Sequence, residues 1–338
     1  MKYFLIVRQQ NNQLGDLLCS APMYFAIKKK YPESHITLVT ASTNYDIPFK
    51  LINPHIDTIL KLKRDSIVDY RTFIKEMRRT KYDFGIVPST LMISRISNII
   101  NFISGAKIRV GVKRIDSEIN KYHFLLNIKK EFDWNKNKVH QIYRISDIVK
   151  QIGCELSNQE IEEVKINISE EDKRFADEFI SCNFPDLSKP LIGLHPGAGK
   201  SGNRWDVKHY FELIKLIHRS LSKNILITSG QIDKDVTNKL VNHLRENSIR
   251  YVLAENLDIG KLAAVQKKLN LYITNDTGIM HLAGFLGVNI ISLFGPTNGF
   301  EWAPLKKNQF YIQSKTGNIN DIEVKEVFDL ILKKYDQW

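Results

Sequence analysis

Short apolar runs alternate with helical patterns along the whole chain, and no other feature restricts the fold as much. Residues 4–8, 36–40, 56–60, 84–87 and 108–112 read as strands, with helices over 17–30, 70–80 and 93–103 between them. Nearly unbroken apolar strands separated by helices imply a mostly parallel sheet covered on both faces. A long helix over 139–152 closes this cycle, and the stretch 154–163 is polar. A helix over 170–182 and a break at 184–190 lead to a second cycle, with strands at 191–194, 225–228, 251–253, 271–274 and 290–294. The expectation is an α/β chain of two Rossmann-like domains, 1–166 and 167–320, with parallel sheets facing across a cleft and a closing helix in 321–338.

The 338 residues, 43% of them hydrophobic, suffice for two cores. Cys19, Cys154 and Cys182 are scattered, form no C-x-x-C pair and suit a reducing compartment. The apolar run 3–7 ends at Arg8, too short for a signal segment, and no later run approaches the length of a membrane span. A cytoplasmic protein, at most peripheral at an inner membrane face, is expected. Residues 1–168 hold 27 Lys/Arg against 17 Asp/Glu, and residues 169–338 hold 22 against 20. The excess positive charge therefore lies in the first half, in clusters at Lys28-Lys29-Lys30, Lys61 to Arg64, Arg78-Arg79 and Lys113-Arg114. Any one cluster reads as solvated surface, but their summed field attracts anions. With no stacking or DNA-reading motif beside them, nucleic acid is not the expected partner; an anionic membrane face or a phosphorylated glycolipid is.

Asp276-Thr277-Gly278-Ile279-Met280-His281 follows the apolar strand at 271–274 and opens an apolar helix. Asp276 and Thr277 can cap, Gly278 lets a ligand approach the backbone, and the free amides of a first turn favour phosphate. An ordinary capped helix has the same local pattern. The second apolar strand, ending in Gly295-Pro296-Thr297, adds a loop expected beside the first, at the strand ends where α/β sheets bind ligands.

Two motifs mislead. Gly197-Ala198-Gly199-Lys200-Ser201-Gly202 shares letters with a dinucleotide fingerprint and a P-loop, yet the P-loop's first glycine falls on Leu194 and the next helix begins only near Asp206. A glycine-rich loop that can lie against phosphates remains. Asp233-Lys234-Asp235 has the letters of a metal-holding D-x-D, but acids at a helix start need no metal, and none is expected. Near the N-terminus, Gln13-Leu14-Gly15-Asp16 lies between the first strand and a helix, where Asp16 reads as an N-cap or as a base for an acceptor hydroxyl.

Taken in order, Leu14-Gly15-Asp16, Ile108-Arg109-Val110-Gly111 with His140, His195-Pro196-Gly197-Ala198 with Arg204-Trp205, and Asp276 to Ala283 with Leu293 to Thr297 resemble glycosyltransferase family nine, the bacterial lipopolysaccharide heptosyltransferases and their relatives. The resemblance implies a GT-B fold with an N-terminal acceptor domain and a C-terminal nucleotide-sugar domain. It implies metal-independent inverting transfer with no cofactor, the nucleotide-diphosphate sugar, ADP-sugar favoured, being a co-substrate. Asp16 takes the position of the base. Asp276, Thr277, Gly278 and His281 take donor-binding positions, supported by Gly197, Lys200, Arg204, Gly230, Gln231, Asp233, Pro296 and Thr297. Gly15, Lys61, Arg64, Lys113 and Arg114 are the residues expected to meet the acceptor. Many members carry lysine where this chain has Asn203, so the cation must come from Arg204 or Lys200, and Asp233 matches the family's next acidic position only loosely. A nucleotide-sugar epimerase of the same architecture and a non-catalytic nucleotide-sugar binder are the alternatives.

Overall fold

A computed structural model describes residues 1–8, 14–41, 53–62, 66–164, 166–221 and 223–334. The chain divides into two compact units, Met1–Val164 and Lys165–Trp338.

The first unit contains β1 (Tyr3–Arg8), α1 (Leu14–Leu18), α2 (Ala21–Lys30), β2 (His35–Ala41), β3 (Thr58–Leu62), α3 (Ile67–Met77), β4 (Phe84–Ile86), α4 (Arg95–Ile103), β5 (Ile108–Ile115), β6 (Glu118–Ile119), β7 (Ile128–Phe132), α5 (Gln141–Lys150) and α6 (Asn158–Glu163). The sheet runs β3-β2-β1-β4-β5-β6, with β7 also paired to β5. All pairings are parallel except the short β5–β6 contact. Phe4, Leu5, Ile6 and Val7 of β1 are enclosed on both faces, which is why this strand reads as an unbroken apolar run. The single helix expected over 17–30 is two. Pro22 has no amide to continue a helix and is tolerated only in a first turn, so α2 restarts at Ala21.

The second unit contains α7 (Glu170–Asn183), β8 (Leu191–His195), α8 (Val207–Leu221), β9 (Asn224–Ser229), α9 (Lys234–Glu246), β10 (Val252–Glu255), α10 (Ile259–Lys267), β11 (Leu271–Asn275), α11 (Gly278–Leu286), β12 (Ile290–Phe294), α12 (Gly299–Trp302), β13 (Gln309–Gln313) and α13 (Val324–Lys334). Its parallel strands run β10-β9-β8-β11-β12-β13, the doubly wound order whose direction reverses between β8 and β11. The equivalent reversal in the first unit lies between β1 and β4. Ligands of such sheets bind outside the strand carboxyl ends at these reversals. The core of the second unit gathers Leu194, Ile227, Ile273 and Leu293 from the sheet, Trp205 and Tyr210 beside it, and Val327 and Ile331 of α13. Trp205 Nε1 donates to the Ile322 carbonyl at 2.9 Å, tying the loop before α8 to the turn before α13.

Among the described residues no helix is long and apolar enough to cross a membrane.

Candidate functional site

At the reversal of the second sheet, His195 ends β8 and Asn275 ends β11, with Thr274 registered against His195. The fully enclosed Asn275 side chain fastens the loops that follow these strands. Its Nδ2 donates to the carbonyls of Pro196 and Gly197, each at 3.0 Å. Its Oδ1 accepts from the Trp205 amide at 3.2 Å and from the Tyr210 hydroxyl at 3.1 Å. Asn275 holds the His-Pro-Gly loop in place, yet its amide sits in a sequence context that reads simply as the end of a strand.

Asp276 and Thr277 come next. Thr277 caps α11, its Oγ1 accepting from the Met280 amide at 3.3 Å. The Asp276 carboxylate accepts from Asn203 Nδ2 at 2.9 Å, and the same Nδ2 lies 3.3 Å from Thr297 Oγ1. Thus Asn203 joins the loop after β8 to the loops after β11 and β12. Burial raises the Asp276 pKa, while the Thr297 hydrogen bond and the Lys200 charge act in the opposite direction. Lys200 therefore lies within electrostatic reach of this carboxyl. Arg204 is committed differently, its Nε donating to the Ala198 carbonyl at 2.8 Å. Gly202 approaches Pro296, and a Cβ on Gly295 would meet Ile319 at 2.8 Å and the Gly202 carbonyl at 3.2 Å. His281, on the first turns of α11, is buried edge-on to Trp302, with ring centroids 6.0 Å apart.

Asp233 lies beyond Gly230 after β9. A Cβ on Gly197 would fall 2.1 Å from its Oδ1, so only glycine fits where the two loops touch. Asp233 Oδ2 accepts from the Gly230 amide at 3.3 Å and faces His195 Nε2 at 3.5 Å, while Oδ1 is enclosed with no hydrogen-bond partner. His195 Nδ1 is 2.9 Å from the Thr228 carbonyl, which can only accept, so this nitrogen carries a proton. Burial pushes the imidazole pKa down, opposed by Asp233 and by the Thr228 bond. Gln231 is exposed at the start of the same turn.

All twelve residues expected at the donor therefore lie on loops or a helix start at the carboxyl end of one sheet. The residues expected at the acceptor are more dispersed within the first unit. Gly15 is buried and Asp16 partly exposed in α1, which follows β1. Lys61 is exposed on β3, and Arg64 lies outside the described residues. Lys113 and Arg114 are drawn into ion pairs: Lys113 with Glu131 at 2.7 Å, and Arg114 with Glu131 at 3.1 Å and Asp133 at 2.6 Å. Lys28 and Lys29 are likewise matched to Asp57 and Glu160. Much of the positive clustering in the sequence is thus balanced locally by acids that are distant in sequence.

Two doubly wound units, the second with an anion-suited helix start at its sheet reversal, are the architecture of the GT-B class of glycosyltransferases. The chain belongs to glycosyltransferase family 9 (heptosyltransferase), whose pattern matches residues 70–331. The lipooligosaccharide heptosyltransferase 2 of Campylobacter jejuni serotype O:2 is 27% identical over 183 residues, 53% of this chain and 55% of that enzyme. The match therefore spans about half the length of that relative. Among solved structures, the family 9 glycosyl transferase from Veillonella parvula superposes with a TM-score of 0.81 at 20% identity, covering 100% of this chain and 98% of the other. E. coli ADP-heptose lps heptosyltransferase II gives 0.77 at 20% identity, covering 100% and 99%. At these identities the two structures establish the fold.

Proposed function

We propose that this chain is an inverting, metal-independent glycosyltransferase that moves a sugar, heptose from ADP-heptose by analogy with the relatives, to a lipopolysaccharide core or related glycan acceptor. The observation that carries the reading is the convergence of Asp276, Asn203 and Thr297 at the start of α11, beside the glycine-rich loop and Lys200. First-turn amides of α11 with Lys200 and Arg204 would stabilise the charge that grows on a departing diphosphate. Asp16, in the first unit, would take the proton of the attacking hydroxyl.

A thermal-shift screen of ADP-, UDP-, GDP- and CMP-sugars tests the donor assignment, because a ligand that binds only the native state raises its apparent stability. ADP-heptose is expected to give the largest shift and to be consumed in excess EDTA when heptose-deficient lipopolysaccharide is added. Activity that is lost on chelation and rescued by Mg²⁺ or Mn²⁺ would reject metal independence.

The raised Asp276 pKa gives donor affinity a pH dependence. The protonated carboxyl tolerates a neighbouring diphosphate better than the carboxylate does, so affinity should fall as pH rises through the raised value. The same sign holds for folding. The contribution of Asp276 to stability is present below the unfolded carboxyl pKa and is lost as pH rises through the folded one. Calorimetry with ADP-heptose should show this decline in the wild type and a flatter curve for Asp276→Asn. A flat wild-type curve would remove Asp276 from contact with the diphosphate.

The net charge of the first half supports docking to an anionic glycolipid at a membrane face. Acceptor KM should rise with salt more steeply than donor KM, because screening limits surface charges to about 8 Å at physiological ionic strength. Charge reversal at Lys61, Lys113 or Arg114 is expected to raise acceptor KM and leave donor KM unchanged. Equal salt sensitivity of both substrates would make the excess charge ordinary surface.

A further inference from the structure

We infer that Arg8 positions the Asp16 carboxylate, an inference that rests on the reading of Asp16 as the base. Arg8 ends β1 at the reversal of the first sheet and is only 4% exposed. A guanidinium does not shed its charge, so enclosing one is costly unless it is fully paired. The enclosed Arg144 and the partly buried Arg109 of this unit are satisfied by fixed protein oxygens. Arg144 donates to the Val139 carbonyl at 2.7 Å and to Asn135 Oδ1 at 3.0 Å, and Arg109 donates to the carbonyls of Leu125 and Ala106 at 2.6 and 3.0 Å.

Arg8 is arranged differently. Its Nη2 faces Asp16 Oδ1 at 3.9 Å, and its Nη1 is enclosed with no hydrogen-bond partner. Tyr24 Oη on α2 is likewise enclosed and unpartnered. The Arg8 charge reaches this phenol, opposing the burial that pushes its pKa up to about 12. Arg8 thus stands behind the carboxylate with one N–H loosely engaged and another unspent. An approach of about an ångström would bring Nη2 within hydrogen-bond distance of Oδ1, a charge-assisted bond that fixes the orientation of a carboxylate. Catalytic hydrogen bonds are commonly long without substrate and tighten when it binds. Arg8 holds Asp16 ionised and aimed; Asp16 itself takes the proton.

The test measures kcat, donor Kd and the pH dependence of kcat with ADP-heptose and heptose-deficient lipopolysaccharide for Arg8→Met, Arg8→Lys, Asp16→Asn and the double variant Arg8→Met/Asp16→Asn. Arg8→Met is expected to lower kcat about 10- to 100-fold, the scale of a misplaced catalytic group, with donor Kd unchanged. Its acid limb should move to higher pH, because a carboxylate without its cation is protonated more easily. Arg8→Lys, which keeps the charge and loses the planar guanidinium, should recover part of the rate and most of the limb position. In the Asp16→Asn background, Arg8→Met should cost less than about twofold, as expected for residues acting as one unit. A purely structural Arg8 would lower Tm without moving the acid limb. A folded Arg8→Met with unchanged kcat and limb, or an equal fractional loss in both backgrounds, overturns the inference alone. Full turnover by Asp16→Asn overturns the base assignment and this inference with it. If Arg8→Met does not fold, Arg8→Lys decides: a several-fold loss of kcat at unchanged donor Kd supports the inference, and wild-type kcat overturns it.

Discussion

Replacing Asp16 with asparagine is expected to lower transfer about 10²- to 10⁴-fold, the usual cost of losing a general base. The amide keeps the size and much of the hydrogen bonding of the carboxylate but has no lone pair basic enough to take the hydroxyl proton. Donor affinity should stay near wild type, because the residues proposed to hold the nucleotide sugar all belong to the second unit. Steady-state kinetics at saturating donor, paired with calorimetric donor binding, separate these effects. A correctly folded variant with near-normal kcat would remove Asp16 from the chemistry, and a parallel loss of donor affinity would give it a binding role.

The second large effect is expected at Asn275. Alanine there removes two donors to backbone carbonyls and the acceptor for the Trp205 amide, in a place with no solvent to replace them, while the Tyr210 hydroxyl keeps the His195 carbonyl at 2.9 Å. Buried groups left unpaired cost about 1–3 kcal/mol each, so a loss of roughly 3 kcal/mol or more is expected. The His195-Pro196-Gly197 loop should lose its fixed place at the same time, weakening ADP-heptose binding even where the fold survives. Asn275→Asp sharpens the reading. It retains an acceptor for Trp205 but turns a second oxygen toward the Pro196 and Gly197 carbonyls. That carboxyl's pKa should be raised, so stability lost at neutral pH should partly return as pH falls and the protonated form regains a donor. Denaturant unfolding across pH checks both variants. An Asn275→Ala variant of wild-type stability would mean that the loop is held by other contacts.

The elements most clearly legible in the sequence are those enclosed on both faces. β1, β8, β11 and β12 are apolar almost throughout, and their order with the intervening helices dictates two doubly wound sheets. The strands that sequence reading misses lie at or near the sheet edge. β7, Ile128–Phe132, carries Lys129, Lys130 and Glu131, and β13, Gln309–Gln313, has only Phe310, Tyr311 and Ile312 between two glutamines. Such segments owe their strand state to a neighbour's backbone rather than to an apolar pattern. The polar stretch 154–163 likewise hides α6, announced only by the Ser157–Glu160 capping box.

The same distinction governs the site. Asp276, Thr277 and Gly278 stand out because their pattern is local: a cap and a glycine at one helix start. Asn203 and Asn275 act by joining segments some 70 residues apart, and no local pattern marks such a link. Charge clusters mislead for the same reason, since Glu131 and Asp133, which balance Lys113 and Arg114, lie on a different strand or just beyond it. Arg8 is an apolar strand's last residue in sequence, and only the fold brings it to Asp16.

The most direct test of the account is the anomeric configuration of the product, read by NMR after turnover of ADP-heptose of defined configuration with heptose-deficient lipopolysaccharide in EDTA. Attack by one hydroxyl, deprotonated by Asp16, on the face opposite the diphosphate predicts a product of inverted configuration, formed only when acceptor is present. Retained configuration, or donor consumed without transfer, would contradict it.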